Sequence, residues 1–225
     1  MKKVAYIGAD EVGRGPLAGP VVASGCLFIG NPSKMKSVEK QLISIGVCDS
    51  KKLSQKKRLS LLSELNIDLH KLKVNKVYEV VLFEGSLYFC LTEYGPRYIE
   101  KNNILQSSLN AMNETIEIFS KDLCVKAGKK SICLDGNKLP KNRIENWEYL
   151  SLVKGDSKCP FIGLASIIAK EYRDHQMSII AEKYPGYGLE KHFGYPTKLH
   201  REAIKNLGVT DVHRKSFKGV KEYLS

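Results

Sequence analysis

The sequence predicts an α/β fold: a mixed β-sheet flanked by helices, with a small helical C-terminal part. Three observations predict it. Short apolar runs rich in strand formers, such as KVAYIG and GPVVASGCLFIG, are bounded by glycine and proline. Longer runs carry apolar residues at helical spacing. The order is strands first, then strands and helices mixed, then a polar, basic, helical tail.

The elements follow in order. KVAYIG ends at glycine and reads as a buried strand, with Asp10 just past its C-terminal end. GPVVASGCLFIG reads as a second strand, entered through Gly19-Pro20, and only a loop separates it from the first, so the two should pair antiparallel. DSKKLSQKKRLSLLSEL is a loop and then a helix, with Ser54 as N-cap. Residues 71–98 fit either strands or short helices. NNILQSSLNAMNETIEIFSKDL places Ile104, Leu105, Leu109, Met112, Ile116 and Phe119 at helical spacing and predicts the longest helix. KKSICLDG is a strand ending at Asp135, and LSLVKGDS a strand ending near Asp156. PFIGLASIIAKEYRDHQMSIIAEKY is a helix opened by Pro160 near N1. After YPGYG come a short helix around residues 199–206 and another near the C-terminus.

Composition narrows the function. The 225 residues hold 36 basic and 24 acidic side chains, a net charge of +12. A folded protein this basic generally meets an anionic partner, most often nucleic acid. Cys26, Cys48, Cys90, Cys124, Cys133 and Cys159 form no C-x-x-C pair and read as reduced thiols of a cytoplasmic protein. No run is of signal-peptide or membrane-spanning character, so no membrane partner is expected.

Asp10, Asp135 and Asp156 fall at the ends of three predicted strands, and Glu11 follows Asp10. Taken singly, each is an ordinary turn acid. Brought together, four carboxylates repel one another and resist ionising. A hard divalent cation removes that conflict, and two ions about 4 Å apart can clamp both oxygens of a phosphodiester displacement. GRGPLA, residues 13–18, matches a dinucleotide-binding G-x-G-x-x-A, but the strand that follows leaves no room for the helix such a cradle requires.

The blocks YIGADEVGRGPLAGPVV, DSKKLSQKKR, NNILQSSLNAM, LDGNKLP, KGDSKCPFIGLASIIAKEYRD and the stretch from YPGYG to HRKSF resemble, in order and over nearly the whole chain, ribonuclease HII, the bacterial type 2 ribonuclease H. Arg14 separates the chain from the sister ribonuclease HIII, which typically has threonine there. The resemblance implies an RNase H-like fold, with residues 1–184 as catalytic core and 185–225 as a helical substrate-binding segment of one continuous unit. It implies endonucleolytic cleavage of RNA in RNA–DNA hybrids and at ribonucleotides embedded in DNA, leaving 3′-hydroxyl and 5′-phosphate ends. Asp10, Glu11, Asp135 and Asp156 match the catalytic, metal-holding acids, with Mg²⁺ or Mn²⁺ as cofactor. Gly13, Arg14 and Gly15 match the motif that senses the ribose 2′-hydroxyl, and Tyr195 the tyrosine that packs on that sugar. The family suggests a monomer. Phe193 stands where the family usually has lysine, a lost phosphate contact. Gly163 and Leu164 replace the usual alanines, which predicts repacking without lost chemistry. Residues 71–98 match poorly.

The stretch 186–225 holds eight basic residues against Glu190, Glu202, Asp211 and Glu222, a surplus suited to a phosphate backbone. None of the five histidines sits at zinc-ligand spacing, and none is assigned catalysis. Within the HRKSF block, His213-Arg214 reads as a phosphate contact or a helix cap. Lys170 and Arg173 read as structural or phosphate-facing, and Asp174 as a salt-bridge partner. The rival reading is a basic RNA–DNA hybrid-binding protein without catalysis, which would keep the charge but not need the four acids together.

Overall fold

The computed structural model describes residues 3–123 and 126–224. Six strands form one sheet: β1 (Val4–Val12), β2 (Val21–Gly30), β3 (Tyr78–Leu82), β4 (Gly85–Tyr94), β5 (Lys129–Asp135) and β6 (Glu148–Leu152). Their spatial order is β3-β4-β2-β1-β5-β6. The first four pair antiparallel, while β1, β5 and β6 run parallel. The sheet is therefore mixed, as predicted.

The helices are α1 (Pro32–Ser44), α2 (Gln55–Glu64), α3 (Pro96–Asp122), α4 (Pro160–Lys183), α5 (Leu189–His192) and α6 (Lys198–Leu207). Helices α3 and α4 cover opposite faces of the sheet. Ala5, Ile7, Ala9 and Leu27 point toward Met112, Ile116 and Phe119 of α3. Val22, Cys26, Phe28 and Cys133 pack with Phe161, Ile162 and Ala165 of α4. This is the period-two alternation of a sheet buried on both faces. A third cluster joins Leu17, Ala18 and Met177 to Tyr187, Leu189, Ile204 and Val220, fastening the C-terminal segment to the loop after β1.

Several expectations hold in detail. Ser54 caps α2 by accepting from the Lys57 N–H, β5 ends at Asp135, and Pro160 stands in the first turn of α4. Others need correction. Strand β1 does not stop at Gly8 but runs on to Val12, so Asp10 and Glu11 lie inside it, opposite Ser24 and Ala23. Gly8 is there for space: a Cβ would come 2.7 Å from the Ile162 nitrogen of α4. Strand β6 ends at Leu152, because Lys154 adopts a left-handed conformation, and Asp156 sits on a 3₁₀ turn, Gly155–Ser157. Helix α3 starts at Pro96 and breaks at Asn103 (φ 58°), whose side chain accepts from the Gln106 N–H and caps the second part. Residues 71–98 hold the β3–β4 hairpin and the start of α3, and the expected last helix is only a 3₁₀ turn, Lys221–Tyr223.

Cys26, Cys90, Cys133 and Cys159 are buried free thiols, Cys48 is a half-buried one, and Cys124 lies outside the described residues. Among the described residues no helix is long and apolar enough to cross a membrane.

Candidate active site

The parallel pairing of β1 with β5 builds the site. Ala9 lies opposite Leu134, so Asp10 and Asp135 follow at the same level on neighbouring strands. Asp135 in turn lies opposite Leu152, where β6 ends. The chain then turns at Lys154, and the Gly155 N–H donates to Asp135 Oδ1 at 2.6 Å. That bond ties the turn carrying Asp156 to the end of β5. All four predicted acids thus gather at one edge of the sheet, where the carboxyl ends of parallel strands open.

Their environment is costly for charge. Asp10 is 6% exposed and Asp156 7%. Burial, then the neighbouring Glu11 and Asp135, push Asp10 well above the usual carboxylate range, and only Ser166 and a backbone N–H pull the other way. Burial raises Glu11 to about 7 even though Arg14 Nη1 lies 3.3 Å from its Oε1. Asp156 is raised by burial and by Asp49 and Asp135. Asp49 is an acid that the sequence reading passed over. It sits ahead of α2, and its Oδ2 accepts from Ser157 Oγ at 3.4 Å. Its signal was available: the DSKKL block follows an apolar run, as the other acids do.

Among the described residues no three acid, histidine or cysteine side chains are placed so that they could hold a metal ion together as they stand. The donor set still suits a hard cation. All its donors are carboxylate oxygens, Glu11 Oε2 is buried with no hydrogen-bond partner, and the acids raise one another's proton affinity. Open, oxygen-only ligation that leaves room for water and phosphate is the habit of Mg²⁺.

Beside the acids, residues 13–20 form the loop between β1 and β2, and two fully buried arginines hold it from beneath. Arg214 donates from Nη2 to the Gly13 carbonyl (2.6 Å), from Nη1 to Arg14 and Pro16, and from Nε to Gly19. Arg173 donates to the carbonyls of Ala18, Pro20 and Phe193. Arg173 thus takes the structural one of its two expected roles, while Arg214, expected as a phosphate contact or a helix cap, is neither. Burial pushes Arg173 down to about 10, and burial with the nearby Arg173 charge pushes Arg214 to about 9, so both remain charged at neutral pH.

The clamp has a consequence for the loop's other side. In a planar trans peptide, C=O and N–H point in opposite directions. With the Gly13 and Arg14 carbonyls turned inward, the N–H groups of Arg14 and Gly15 turn outward, free to donate to a ligand. Gly13 is held at φ +91°, and a Cβ there would lie 2.3 Å from Arg173 Nε, so glycine is required. Gly15 faces Tyr195: a Cβ on it would stand 3.7 Å from the ring's Cε1. The three-residue motif and the tyrosine, 180 positions apart in sequence, are therefore neighbours.

The other flagged residues fall into place. Lys170 pairs with buried Asp174, as expected, and its ammonium lies 5.3 Å from the Phe193 ring centroid. Gly163 permits close packing, since a Cβ there would lie 2.9 Å from the Asp156 carbonyl oxygen. Of the C-terminal basic residues Arg214 is buried, whereas Lys191, Lys198, Arg201, Lys205, Lys215, Lys218 and Lys221 are exposed.

Comparison with known proteins shows which family has this fold and sequence. The sequence model of the ribonuclease HII family matches residues 7–220. The ribonuclease HII of Francisella tularensis subsp. tularensis is 40% identical over 97% of this chain and 98% of its own. The crystal structure of ribonuclease H2 from Pyrococcus horikoshii superposes with a TM-score of 0.65, at 23% identity, over 98% of this chain and 96% of that one. A Bst-RNase HIII in complex with Mn²⁺ superposes with a TM-score of 0.63, at 15% identity, over 98% of this chain and 69% of that one. These likenesses show the fold, and the sequence match shows more: the chain belongs to the ribonuclease HII family and is a ribonuclease H enzyme.

Proposed function

We propose that this ribonuclease hydrolyses the RNA strand of RNA–DNA hybrids and nicks duplex DNA on the 5′ side of an embedded ribonucleotide. The products would carry a 3′-hydroxyl and a 5′-phosphate. The observation that carries the proposal is the adjacency of two groups on one strand-and-loop unit: Asp10 and Glu11 at the end of β1, and Gly13 to Gly15 directly after them, against Tyr195.

Asp10, Glu11, Asp135 and Asp156 would hold divalent cations, Mg²⁺ or Mn²⁺. When bound, a pair of such ions supplies Lewis-acid activation of water and charge neutralisation at the scissile phosphate and its leaving 3′-oxygen. The chain's own residues do the rest. The outward N–H groups of Arg14 and Gly15 offer donors to a ribose 2′-hydroxyl, the group that separates RNA from DNA. Tyr195, half-buried over Gly15, supplies an apolar plate for the sugar. Arg14, exposed and 3.3 Å from Glu11, orients that carboxylate or meets a phosphate oxygen. The exposed lysines of the C-terminal segment would supply positive charge for the phosphates of a duplex backbone. The Mn²⁺ complex of the HIII structure is in keeping with this metal chemistry.

The test is a duplex DNA bearing one ribonucleotide, incubated with protein and Mg²⁺, Mn²⁺ or chelator. Nicking 5′ of the ribonucleotide with either ion and none with chelator is expected. Binding without cleavage under every divalent ion would overturn the reading in favour of a non-catalytic hybrid binder. Asp10→Asn should lower cleavage by at least a hundredfold while leaving hybrid affinity within about twofold.

A further inference from the structure

Three buried histidines lie beneath Tyr195 and have no part in the chemistry above. His192 of α5 and His200 of α6 stack with ring centroids 4.5 Å apart, and His200 and His213 stand 5.4 Å apart. His192 is 8% exposed, and His200 and His213 are fully buried.

Their partners assign the proton on each ring. The Gly194 N–H donates to His192 Nδ1, so that ring carries its proton on Nε2, which donates to the Tyr187 carbonyl at 2.9 Å. His200 Nδ1 faces the Tyr195 carbonyl at 3.0 Å and must donate, leaving its Nε2 bare. The Thr210 N–H donates to His213 Nδ1 at 3.1 Å, so His213 carries its proton on Nε2. That Nε2 lies 3.3 Å from the bare Nε2 of His200. One directed chain results: Thr210 N–H to His213, His213 to His200, His200 to the carbonyl of Tyr195. Each assignment follows from a backbone group whose role is fixed.

We propose that His200, braced by His213, is the positioning residue that seats Tyr195 against Gly15, and that it does so only while both rings are neutral and in these tautomers. The inference rests on the reading of Tyr195 as the residue that packs on the sugar. An added proton breaks this chain. On His200 Nε2 it would meet the His213 N–H, and on His213 Nδ1 it would meet the Thr210 N–H, turning to Thr210 Oγ1, 2.8 Å away, only by giving up that bond. The titratable groups around the pair are His192 of α5, Tyr187 ahead of it, Tyr195 itself, Asp211 beside His213, and Arg173 of α4, whose guanidinium lies 6.0 Å from the Tyr195 ring centroid. Asp211, the one carboxylate among them, is engaged by the Tyr184 hydroxyl. Burial, the larger cause, and for His200 the neighbouring rings, push His200 and His213 down to about 4, in keeping with a neutral chain.

Two measurements test it. Long-range ¹H–¹⁵N spectra of the wild-type protein should show His200 protonated on Nδ1 and His213 on Nε2, with no change down to about pH 5.5. The opposite tautomers, or either ring titrating near its ordinary value, would overturn the proposal without any activity assay. The second compares His200→Asn, His200→Gln and His200→Ala on the one-ribonucleotide duplex. Asparagine places an amide N–H where Nδ1 stands, whereas glutamine places one where Nε2 stands. The alanine and glutamine variants should raise KM about tenfold with kcat nearly unchanged, and asparagine should restore KM to within about threefold of wild type. Equal KM for alanine and asparagine, in a wild-type background that nicks, would sink the positioning role. A wild-type protein that does not nick counts against the proposed function instead, and the spectra then decide the tautomer chain.

Discussion

Gly163 has no side chain, yet it governs where Asp156 can stand. The turn bearing Asp156 rests on the first turn of α4, and a Cβ at residue 163 would press to 2.9 Å on the Asp156 carbonyl and 3.3 Å on Val47. The first of these is a backbone atom, which cannot swing aside as a side chain would. Gly163→Ala should therefore displace the 155–157 turn and shift Asp156 relative to Asp135, to which the turn is tied through the Gly155 N–H. If Asp156 holds metal as proposed, a displacement of a few tenths of an ångström there is expected to lower kcat about threefold to tenfold, with hybrid affinity unchanged. Single-turnover rates against Mn²⁺ concentration will check it, and an unaltered rate and metal dependence would mean that the turn yields without moving the carboxylate.

At the scale of elements, the loop between β1 and β2 owes its shape to a different part of the chain. Its carbonyls at Gly13, Arg14, Pro16 and Gly19 are collected by one guanidinium from the C-terminal segment, and those at Ala18 and Pro20 by one from α4. A lysine in place of Arg214 keeps the charge but replaces a planar fork with a point, so several buried carbonyls lose their donor. Arg214→Lys should lower stability by about 2–3 kcal/mol, roughly 5–10 °C in melting temperature for a chain of this size. It should also relax discrimination of ribose from deoxyribose more than it weakens hybrid binding, read by comparing cleavage with affinity. An unchanged melting temperature would refute the clamp. Nothing in the sequence announced this arrangement. The strands, Ser54, Pro160 and the acids were readable because capping, alternation and strand-end position are local signals. The limits of β1 and β6 were misread because Gly8 looks like a stop and is a packing site, while Lys154 looks ordinary and makes the turn. Helix α1 was not anticipated, because it buries only Val38 and Leu42 and so shows little periodicity. The roles of Arg173, Arg214 and the histidines depend on contacts across the whole chain, which no local pattern encodes.

For the molecule as a whole, the active site and the C-terminal segment pull stability in opposite directions with pH. Glu11 is raised from 4.5 to about 7, so the folded protein holds that proton where the unfolded chain has released it. The stability it contributes is full below pH 4.5 and is lost as pH rises through 7. Asp10 and Asp156, also raised, act in the same sense. His200 and His213 are lowered from 6.5 to about 4, so the unfolded chain takes up protons that the folded one refuses. Their contribution is full above pH 6.5 and is lost as pH falls through 4. Without divalent ions the acids' share of the stability should therefore fall as pH rises through 7, and the histidines' share should fall as pH drops through 4. A cation held by the four acids, as proposed, would change only one limb, because it would replace the protons there. At about a hundredfold over its dissociation constant it adds about 2.7 kcal/mol, roughly 5–10 °C. Melts across this range, with and without Mn²⁺, should show that gain near pH 8 and almost none near pH 5. Asp10→Asn should raise the ion-free alkaline limb and blunt the response to Mn²⁺, while leaving the acid limb where the histidines put it. An acid limb that moved with Asp10→Asn, or a cation effect equal at both ends, would show that the two regions are not the separate sources of pH dependence that their burial and charge require.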